Sequence, residues 1–204
     1  MEKMNPSKCV KCADFPCLDV NKDCHLVPNI EVDPAKIKAL MVSEAPPAEP
    51  NDYFYAKDNP FYMQTTAQAF KDAGFEVKSI EDVLDLGVYI TTAIKCGKIG
   101  YSISSKTIET CSTLLENEMD MLPHIEAILL MGDTAIKAIN YIAKRNTGKR
   151  IVPSGSTYKI RKNEYYYDDA RVFPTYLQTG KSYLIEKSKR KMIAGDINTA
   201  LKHQ

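Results

Sequence analysis

The fold is decided by one stretch of sequence, Ile125-Glu126-Ala127-Ile128-Leu129-Leu130-Met131-Gly132-Asp133. Its apolar run, residues 125–131, is short and is closed by a glycine, which is typical of a strand buried in a parallel sheet. Residues 134–145 then carry apolar side chains at helical spacing, so a helix is predicted directly after the strand. A buried strand that leads straight into a helix is typical of an α/β protein.

The same alternation continues on both sides of this stretch. Further strands are predicted at residues 37–42 and 88–94, and two or three short ones within residues 156–176. Further helices are predicted at residues 63–73, 105–121 and 182–202. This order predicts a parallel sheet with helices on its faces. Ligands bind such sheets at the carboxyl ends of the strands, so the loops after Val42, Ile94, Met131 and Tyr176 form the candidate site.

The composition is that of one globular domain. The chain has 204 residues, 44% of them hydrophobic and 26% charged, which suffices to bury a core. No apolar run reaches the roughly 20 residues that a membrane span needs, and the first residues lack the apolar core of a signal peptide. We therefore expect a single domain over residues 1–204, a cytoplasmic location and no membrane partner. The net charge is +1, so contact with nucleic acid requires a local basic patch.

The first 36 residues are polar and rich in Cys, Pro and Asp, and they predict a loop-rich lead that something other than a core holds in place. Cys9 and Cys12 form a C-x2-C pair in this lead, and Cys96 and Cys111 form a second, wide pair. Thiols in a chain without an export signal favour metal or cluster ligation over disulfides. Four thiolates from two segments can hold zinc or an iron–sulfur cluster, whereas the alternative for Cys96 and Cys111 is burial as apolar thiols.

The strand around Cys96 resembles a known family. Residues 88–96 read VYITTAIKC and resemble the VYITNVVKC segment of the iron–sulfur (family 4) branch of the uracil-DNA glycosylase superfamily. In that family the Cys of this segment, a Cys on the next helix and an N-terminal C-x2-C ligate a [4Fe–4S] cluster. The resemblance therefore implies four cluster ligands, with zinc as the alternative occupant: Cys9, Cys12, Cys96 and Cys111. Cys17 and Cys24 lie outside the pattern, either as spare thiols or as a substitute for one ligand.

The resemblance extends over most of the chain. Ser43-Glu44-Ala45-Pro46-Pro47 resembles the GEAPG loop that carries the family's active-site acid, and Pro60-Phe61 matches the segment whose Phe stacks on the extruded uracil. Residues 128–135 resemble the ALGATA turn from strand to helix, and Pro174-Thr175-Tyr176 resembles the approach to the last motif, HPS. The implied fold is a three-layer α/β domain in which a mostly parallel four-stranded sheet is flanked by helices.

The resemblance also implies roles for individual residues. Breaking an N-glycosidic bond builds positive charge on the sugar, which a carboxylate stabilises, and negative charge on the base, which needs donors. Glu44 is the expected catalytic carboxylate, and the alternative is a solvated loop acid. Contacts with the base are expected from four residues: Ala45, Phe61, Thr92 and Gln178. For Phe61 the alternative is a core aromatic.

Two positions depart from the family pattern. Thr92 stands where the family has an Asn, whose amide pairs with a pyrimidine edge, and a hydroxyl offers fewer hydrogen bonds. The last motif contains no histidine, so Gln178, Thr179 or Lys181 has to donate to the base instead. The aromatic run at residues 53–55 follows the acid loop, either as a wall of the pocket and a stacking surface or as a packed loop.

Positive charge is concentrated after the last motif, on Lys181, Lys187, Lys189, Arg190 and Lys191. Such side chains bind DNA phosphates without regard to sequence, and the alternative is a solvated helix face. The sequence thus predicts a monomeric DNA base-excision N-glycosylase, a DNA-repair hydrolase that acts on uracil or another damaged base. Two other hypotheses stay open: a weak or inactive nucleic-acid- or base-binding protein on the same fold, and a metal-stabilised module of unrelated activity.

Overall fold

The computed structural model describes residues 2–202. The strands of this part of the chain are β1 (Val20–His25), β2 (Ala39–Ser43), β3 (Val88–Thr92), β4 (Cys96–Lys98), β5 (Ala127–Met131), β6 (Tyr165–Tyr167) and β7 (Ala170–Thr175). Its α-helices are α1 (Pro6–Cys9), α2 (Phe61–Asp72), α3 (Ile80–Asp85), α4 (Ser105–Asp120), α5 (Asp133–Thr147), α6 (Thr157–Ile160), α7 (Lys181–Ile185) and α8 (Lys187–Lys202). No helix within residues 2–202 is both long and apolar enough to cross a membrane.

Five strands form the central sheet, in the order β3-β2-β5-β7-β6. The first four run parallel, which confirms the predicted architecture, and every residue of β2, β3 and β5 is buried. The expected count of four strands was one too few, because β6 adds an antiparallel edge strand beside β7. The chain reverses between these two strands at the predicted turn, where Asp168 adopts a φ of 48°.

Helices cover both faces of the sheet, so the fold has three layers. Alternate residues of a strand point to opposite faces. Leu40, Val42, Ile128 and Leu130 share one core with α4 and α5, whereas Ala39, Met41, Leu129 and Met131 share the other with α2, α3 and α8. The loops that follow β2, β3, β5 and β7 therefore meet at one edge of the sheet, where the sequence placed the site.

The structure differs from the predicted helices in two places. Helix α3 was not predicted, although Ser79 and Asp82 form a capping box at its start, and this pattern is readable in the sequence. The single helix expected at residues 182–202 is instead α7 and α8, because Glu186 between them has a non-helical ψ of 77°.

The N-terminal lead is more ordered than the sequence indicated. Strand β1 pairs antiparallel with β4, and Met4 bridges to Val32. Val20 and Val32 belong to the core that α4 and α5 share, so the expectation that no core holds the lead was wrong. The two strands approach closely, since a Cβ placed on Gly97 would lie 3.0 Å from the Cβ of Cys24.

A fully buried ion pair joins the end of β3 to α4. Lys95 Nζ contacts the carboxylate of Glu118, and both side chains are inaccessible to solvent. Lys95 Nζ also donates to Thr91 Oγ1 at 2.8 Å and to the Thr92 carbonyl at 2.6 Å. Glu118 accepts hydrogen bonds from the hydroxyls of Tyr89 (2.7 Å) and Thr91 (3.0 Å). A charge in such a place is tolerated only while its partners are complete.

We expect Lys95→Met to lower the free energy of unfolding by about 3–5 kcal/mol, because the buried Glu118 carboxylate loses its counter-charge. Adding Glu118→Gln should restore part of the loss, since a neutral amide keeps oxygen and nitrogen partners for Tyr89 and Thr91. Urea denaturation measures both variants. The control is Lys38→Met in the half-exposed Lys38–Glu126 pair, where a change of about 1 kcal/mol or less is expected. Equal losses in the single and double variants would contradict the account.

Candidate functional site

Glu44 lies at the carboxyl edge of the sheet, directly after β2. The chain continues beside β3 beyond the last residue of the strand, because Ala93 N donates to the Ser43 carbonyl (2.8 Å) and Ile94 N donates to the Glu44 carbonyl (3.1 Å). Ala45 is buried next to it. These two hydrogen bonds fix the backbone of the acid loop and therefore the position of the Glu44 Cα at the site.

Two donors hold the Glu44 carboxylate. Oε1 accepts from Lys98 Nζ at 3.0 Å and from Thr134 Oγ1 at 2.9 Å. Thr134 is the second residue of α5, whose N-terminus carries the positive end of the helix dipole and favours an anion. The Glu44 side chain is 24% exposed, so it is anchored and still accessible. Lys98 and Thr134 were not singled out from the sequence, since they lie 54 and 90 positions from Glu44.

The turn from β5 into α5 requires its glycine. Gly132 has a φ of 98°, and its N–H donates to the Thr175 carbonyl at 3.0 Å. A Cβ placed on Gly132 would lie 3.6 Å from the Cβ of Leu177. This close approach brings the loop after β7, with Gln178, beside the turn that presents Thr134.

Buried polar groups without a protein partner accumulate at this edge. Thr92 and Gln178 are inaccessible to solvent, and within residues 2–202 neither the Thr92 hydroxyl nor either amide atom of Gln178 forms a hydrogen bond. The Ser43 hydroxyl is likewise unpaired, whereas the Tyr53 hydroxyl lies near that of Thr92 and the Thr175 hydroxyl lies near the Asp196 carboxylate. Buried polar atoms are nearly always paired, and an unpaired one costs about 1–3 kcal/mol. Several together at the ligand-binding edge of a parallel sheet indicate a site for a polar ligand.

A run of aromatic side chains packs close to this edge of the sheet. Tyr53 and Phe54 are buried, with ring centroids 5.7 Å apart, and Phe54 lies 5.2 Å from Tyr62 at the start of α2. Tyr55 OH donates to the Ile90 carbonyl at 2.5 Å, which ties the run to β3. The run at residues 53–55 is thus a packed loop. Phe61 opens α2 and is only partly buried, so its ring is not a core aromatic.

A second candidate site lies between the lead and the domain. Its cavity of about 190 Å³ is lined by four cysteines: Cys12, Cys17, Cys96 and Cys111. Burial, followed by the thiols of Cys111, Cys12 and Cys17, raises the pKa of Cys96 to about 12. Burial likewise raises the pKa of Cys111 to about 11, although Lys95 opposes this shift. The Lys95 N–H donates to Cys111 Sγ at 3.3 Å, and His25 Nδ1 lies 3.6 Å from Cys96 Sγ. We call this the cysteine cavity.

The structure brings together three of the four thiols assigned by resemblance. Cys9 ends α1, is exposed and does not line the cysteine cavity, whereas Cys17 does. The position of Cys17 favours the alternative that the sequence left open, in which another cysteine takes the place of one assigned ligand. The sequence feature that could have indicated it is the C-x4-C spacing between Cys12 and Cys17. Cys24 is buried elsewhere and donates to the Pro47 carbonyl at 3.5 Å.

The basic residues after the last motif are only partly available. Arg190 forms two hydrogen bonds of 2.8 Å to the carboxylate of Asp72, and Lys189 contacts Glu186 at 2.5 Å. Lys187 and Lys191 line an open groove between α2 and α8. Lys181 is the first residue of α7. Two of the five predicted DNA contacts are therefore already engaged by carboxylates.

A family model described as the uracil-DNA glycosylase superfamily matches residues 30–195 of this chain. The matched range includes Glu44, Phe61, Thr92 and Gln178 and leaves out the cysteines of the lead. No curated protein matches the chain.

The unpaired amide of Gln178 generates a stability prediction. Gln178→Leu should raise the free energy of unfolding by about 1–2 kcal/mol, because it removes a buried polar group that has no partner. The control is Asn140→Leu, since the Asn140 amide accepts from Ile151 N and Val152 N and donates to the Val152 carbonyl. That variant should be destabilised. Urea denaturation compares the two, and a similar loss in both would assign Gln178 a structural role.

Proposed function

Because the chain belongs to the uracil-DNA glycosylase superfamily, we propose that it is a DNA base-excision N-glycosylase that releases uracil or another damaged base. The observation that carries this proposal is the Glu44 carboxylate, anchored by Lys98 and Thr134 beside a set of buried, unpaired polar groups. An acid and a closed polar pocket are the two parts that the reaction needs.

Glu44 would stabilise the sugar during bond cleavage. The target nucleotide leaves the base stack and enters the pocket, and breaking its glycosidic bond builds positive charge on the sugar. Both anchoring hydrogen bonds of Glu44 go to Oε1, and no described residue donates to Oε2. Oε2 is then free to face the sugar or to orient the attacking water, while Lys98 and Thr134 hold the carboxylate in place through Oε1.

The base would be held by Gln178 and Thr92. The leaving base gains negative charge and needs donors, and the Gln178 amide offers two donors and one acceptor. Thr92 adds one hydroxyl at the end of β3, in register with Ser43 of β2. Phe61 supplies a ring face for stacking, and Ala45 lies beside the acid. Without the family's Asn and His, we expect slow release of uracil.

Replacing the charge of Glu44 tests the catalytic role. Glu44→Gln should slow base release by about 100-fold or more while DNA binding is retained, because only the charge that opposes the sugar cation is lost. Glu49→Gln is the matched control, since Glu49 is an exposed acid in the same loop. Strand cleavage at the abasic product measures release from single-stranded and mismatched oligonucleotides that carry uracil, hypoxanthine or xanthine.

A second candidate function is binding without catalysis on the same fold. The observation in its favour is the replacement of both family groups that serve the base, since Thr92 stands in place of the Asn and no histidine occupies the last motif. Binding of damaged oligonucleotides without base release, with Glu44→Gln changing neither, would establish this alternative and overturn the glycosylase.

We further propose that Cys12, Cys17, Cys96 and Cys111 hold a [4Fe–4S] cluster, with zinc as the alternative. The cysteine cavity supports this assignment, because four cysteines from the lead and the domain line it. Within residues 2–202 no three Cys, His, Asp or Glu side chains are close enough to hold a single ion. A cluster binds each thiolate at a separate iron, which suits a wider arrangement. When bound, it would cross-link the lead to the domain.

Iron analysis of cysteine variants tests this ligand set. Protein purified without oxygen should be brown, with broad absorbance near about 400 nm. Cys17→Ala and Cys96→Ala should lose iron and colour, whereas Cys9→Ala, with its exposed thiol outside the cavity, should keep both. Colourless protein with stoichiometric zinc would show that the site holds zinc and not a cluster. Loss of iron in Cys9→Ala alone would show that Cys9 and Cys12 are the ligands from the lead.

We also propose that Lys187 and Lys191 contact DNA phosphates, since both line an open groove on α8. Lys189 and Arg190 are bound to Glu186 and Asp72 and are available only if those ion pairs open.

A further inference from the structure

A basic groove runs along the face of α5 that the proposed reaction does not use. It has a volume of about 370 Å³ and lies between α5 and the segment 150–160. Its lining includes Lys137, Lys144 and Arg150, together with the hydroxyls of Ser154 and Thr157. We call this the α5 groove. Lysine, arginine and hydroxyl side chains are the groups that bind phosphate oxygens.

The α5 groove and the candidate active site both include residues of the first turn of α5. Asp133, the first residue of α5, lines it, and the next residue, Thr134, donates to Glu44 Oε1 at 2.9 Å. From Asp133 to Lys144 the helix rises by about 16 Å, at 1.5 Å per residue. That length accommodates several phosphates of a strand that leaves the site.

The positive charge of the α5 groove is available for a ligand. Lys137 pairs with Asp133 at 2.6 Å, but Lys144 and Arg150 form no ion pair with a described residue, and both are exposed. Asp133 is the sole carboxylate in the lining of the groove. The contrast with α8 is direct, because Lys189 and Arg190 already contact carboxylates there.

An exposed aromatic side chain lies in the loop that links the candidate active site to the groove. The loop between β4 and α4 starts at Lys98, which contacts Glu44, and reaches Ser105, which lines the α5 groove. Between them Tyr101 is fully exposed and Ile99 is 66% exposed. A tyrosine ring free of packing contacts offers a face on which a nucleobase stacks, and such stacking requires a base that is not paired.

We propose that the α5 groove and Tyr101 together bind the single strand that flanks the target nucleotide. A groove that neutralises phosphates, combined with an aromatic ring for stacking, is how proteins hold single strands without regard to sequence. A duplex would satisfy the groove but would leave Tyr101 without an unpaired base. This inference rests on the proposed function, since it names the form of nucleic acid that the Glu44 site receives.

Binding of a fluorescent oligothymidylate without a damaged base, measured by anisotropy at several salt concentrations, tests the proposal. Lys144→Glu with Arg150→Glu should weaken binding by about tenfold or more and reduce the salt slope by about 1.4, the value for two lost phosphate contacts on a single strand. Tyr101→Ala should weaken binding by about tenfold without changing the slope, and Tyr101→Trp should retain it. The matched control is Lys3→Glu with Lys36→Glu, which makes the same charge change at a cavity near the start of β2.

Four outcomes would overturn the proposal. The first is unchanged affinity and salt slope in Lys144→Glu with Arg150→Glu, and the second is an equal loss in the control. The third is duplex binding that is as tight and depends equally on Tyr101, and the fourth is an acidic peptide that binds with the same dependence on Lys144 and Arg150.

Because the probe carries no damaged base, its binding is independent of catalysis. If the native protein releases no base but the variants lose binding, the single-strand site stands and the glycosylase fails. If the native protein releases base but the variants bind normally, the glycosylase stands and the single-strand site fails.

Discussion

Both candidate sites depend on the buried ion pair between Lys95 and Glu118. Lys95 Nζ donates to the carbonyl of Thr92, the last residue of β3. The Lys95 N–H donates to Cys111 Sγ in the cysteine cavity. Glu118 fixes the ammonium from α4 and accepts the hydroxyls of Tyr89 and Thr91 on the strand. A charge inaccessible to water tolerates little displacement, because each lost partner leaves an uncompensated group in a medium of low dielectric constant. One residue thus contacts both the end of β3, beside the Glu44 loop, and the Cys111 thiol of the cysteine cavity.

Where sequence and structure agree, the information is local. Runs such as residues 125–131 predict buried strands by composition alone, so the sheet could be predicted from the sequence. Pro46 and Pro47 mark the end of the acid loop, so the position of Glu44 could be predicted as well. What was missed depends on contacts between distant residues. Cys17 lines the cavity because β1 pairs with β4, and Lys98 reaches Glu44 because β4 follows β3 around the edge of the sheet. No local periodicity encodes such pairings. Helix α3 is a different case, since the signal at Ser79 and Asp82 was present and was not used.

The candidate site differs from the family pattern in the place of its side-chain amide. In the family that the sequence resembles, an amide extends from the strand that ends here at Thr92, whereas this chain carries a buried, unpaired amide on the loop after β7, at Gln178. The start of this loop is tied to the turn after β5, because the Gly132 N–H donates to the Thr175 carbonyl at 3.0 Å. The unpaired atoms of Thr92 and Gln178 reduce stability in the absence of a ligand, and this cost is the reason that both residues are included in the proposed base contacts.

The two basic flanks of the fold differ in what surrounds their charges, and this difference follows from packing. On α8, Arg190 must pair with Asp72 to close the α2–α8 contact, and its guanidinium lies over the ring of Tyr183, so part of that charge stabilises the fold. On α5, the residues that pack against α4 are different ones, such as Arg145, which contacts Glu116 and Ser112. Lys144 and Arg150 form no ion pair with a described residue, and both are exposed to solvent. With a net charge of only +1, affinity for a polyanion has to come from such local excess, which the packing leaves at Lys144 and Arg150 and, on α8, at Lys187 and Lys191.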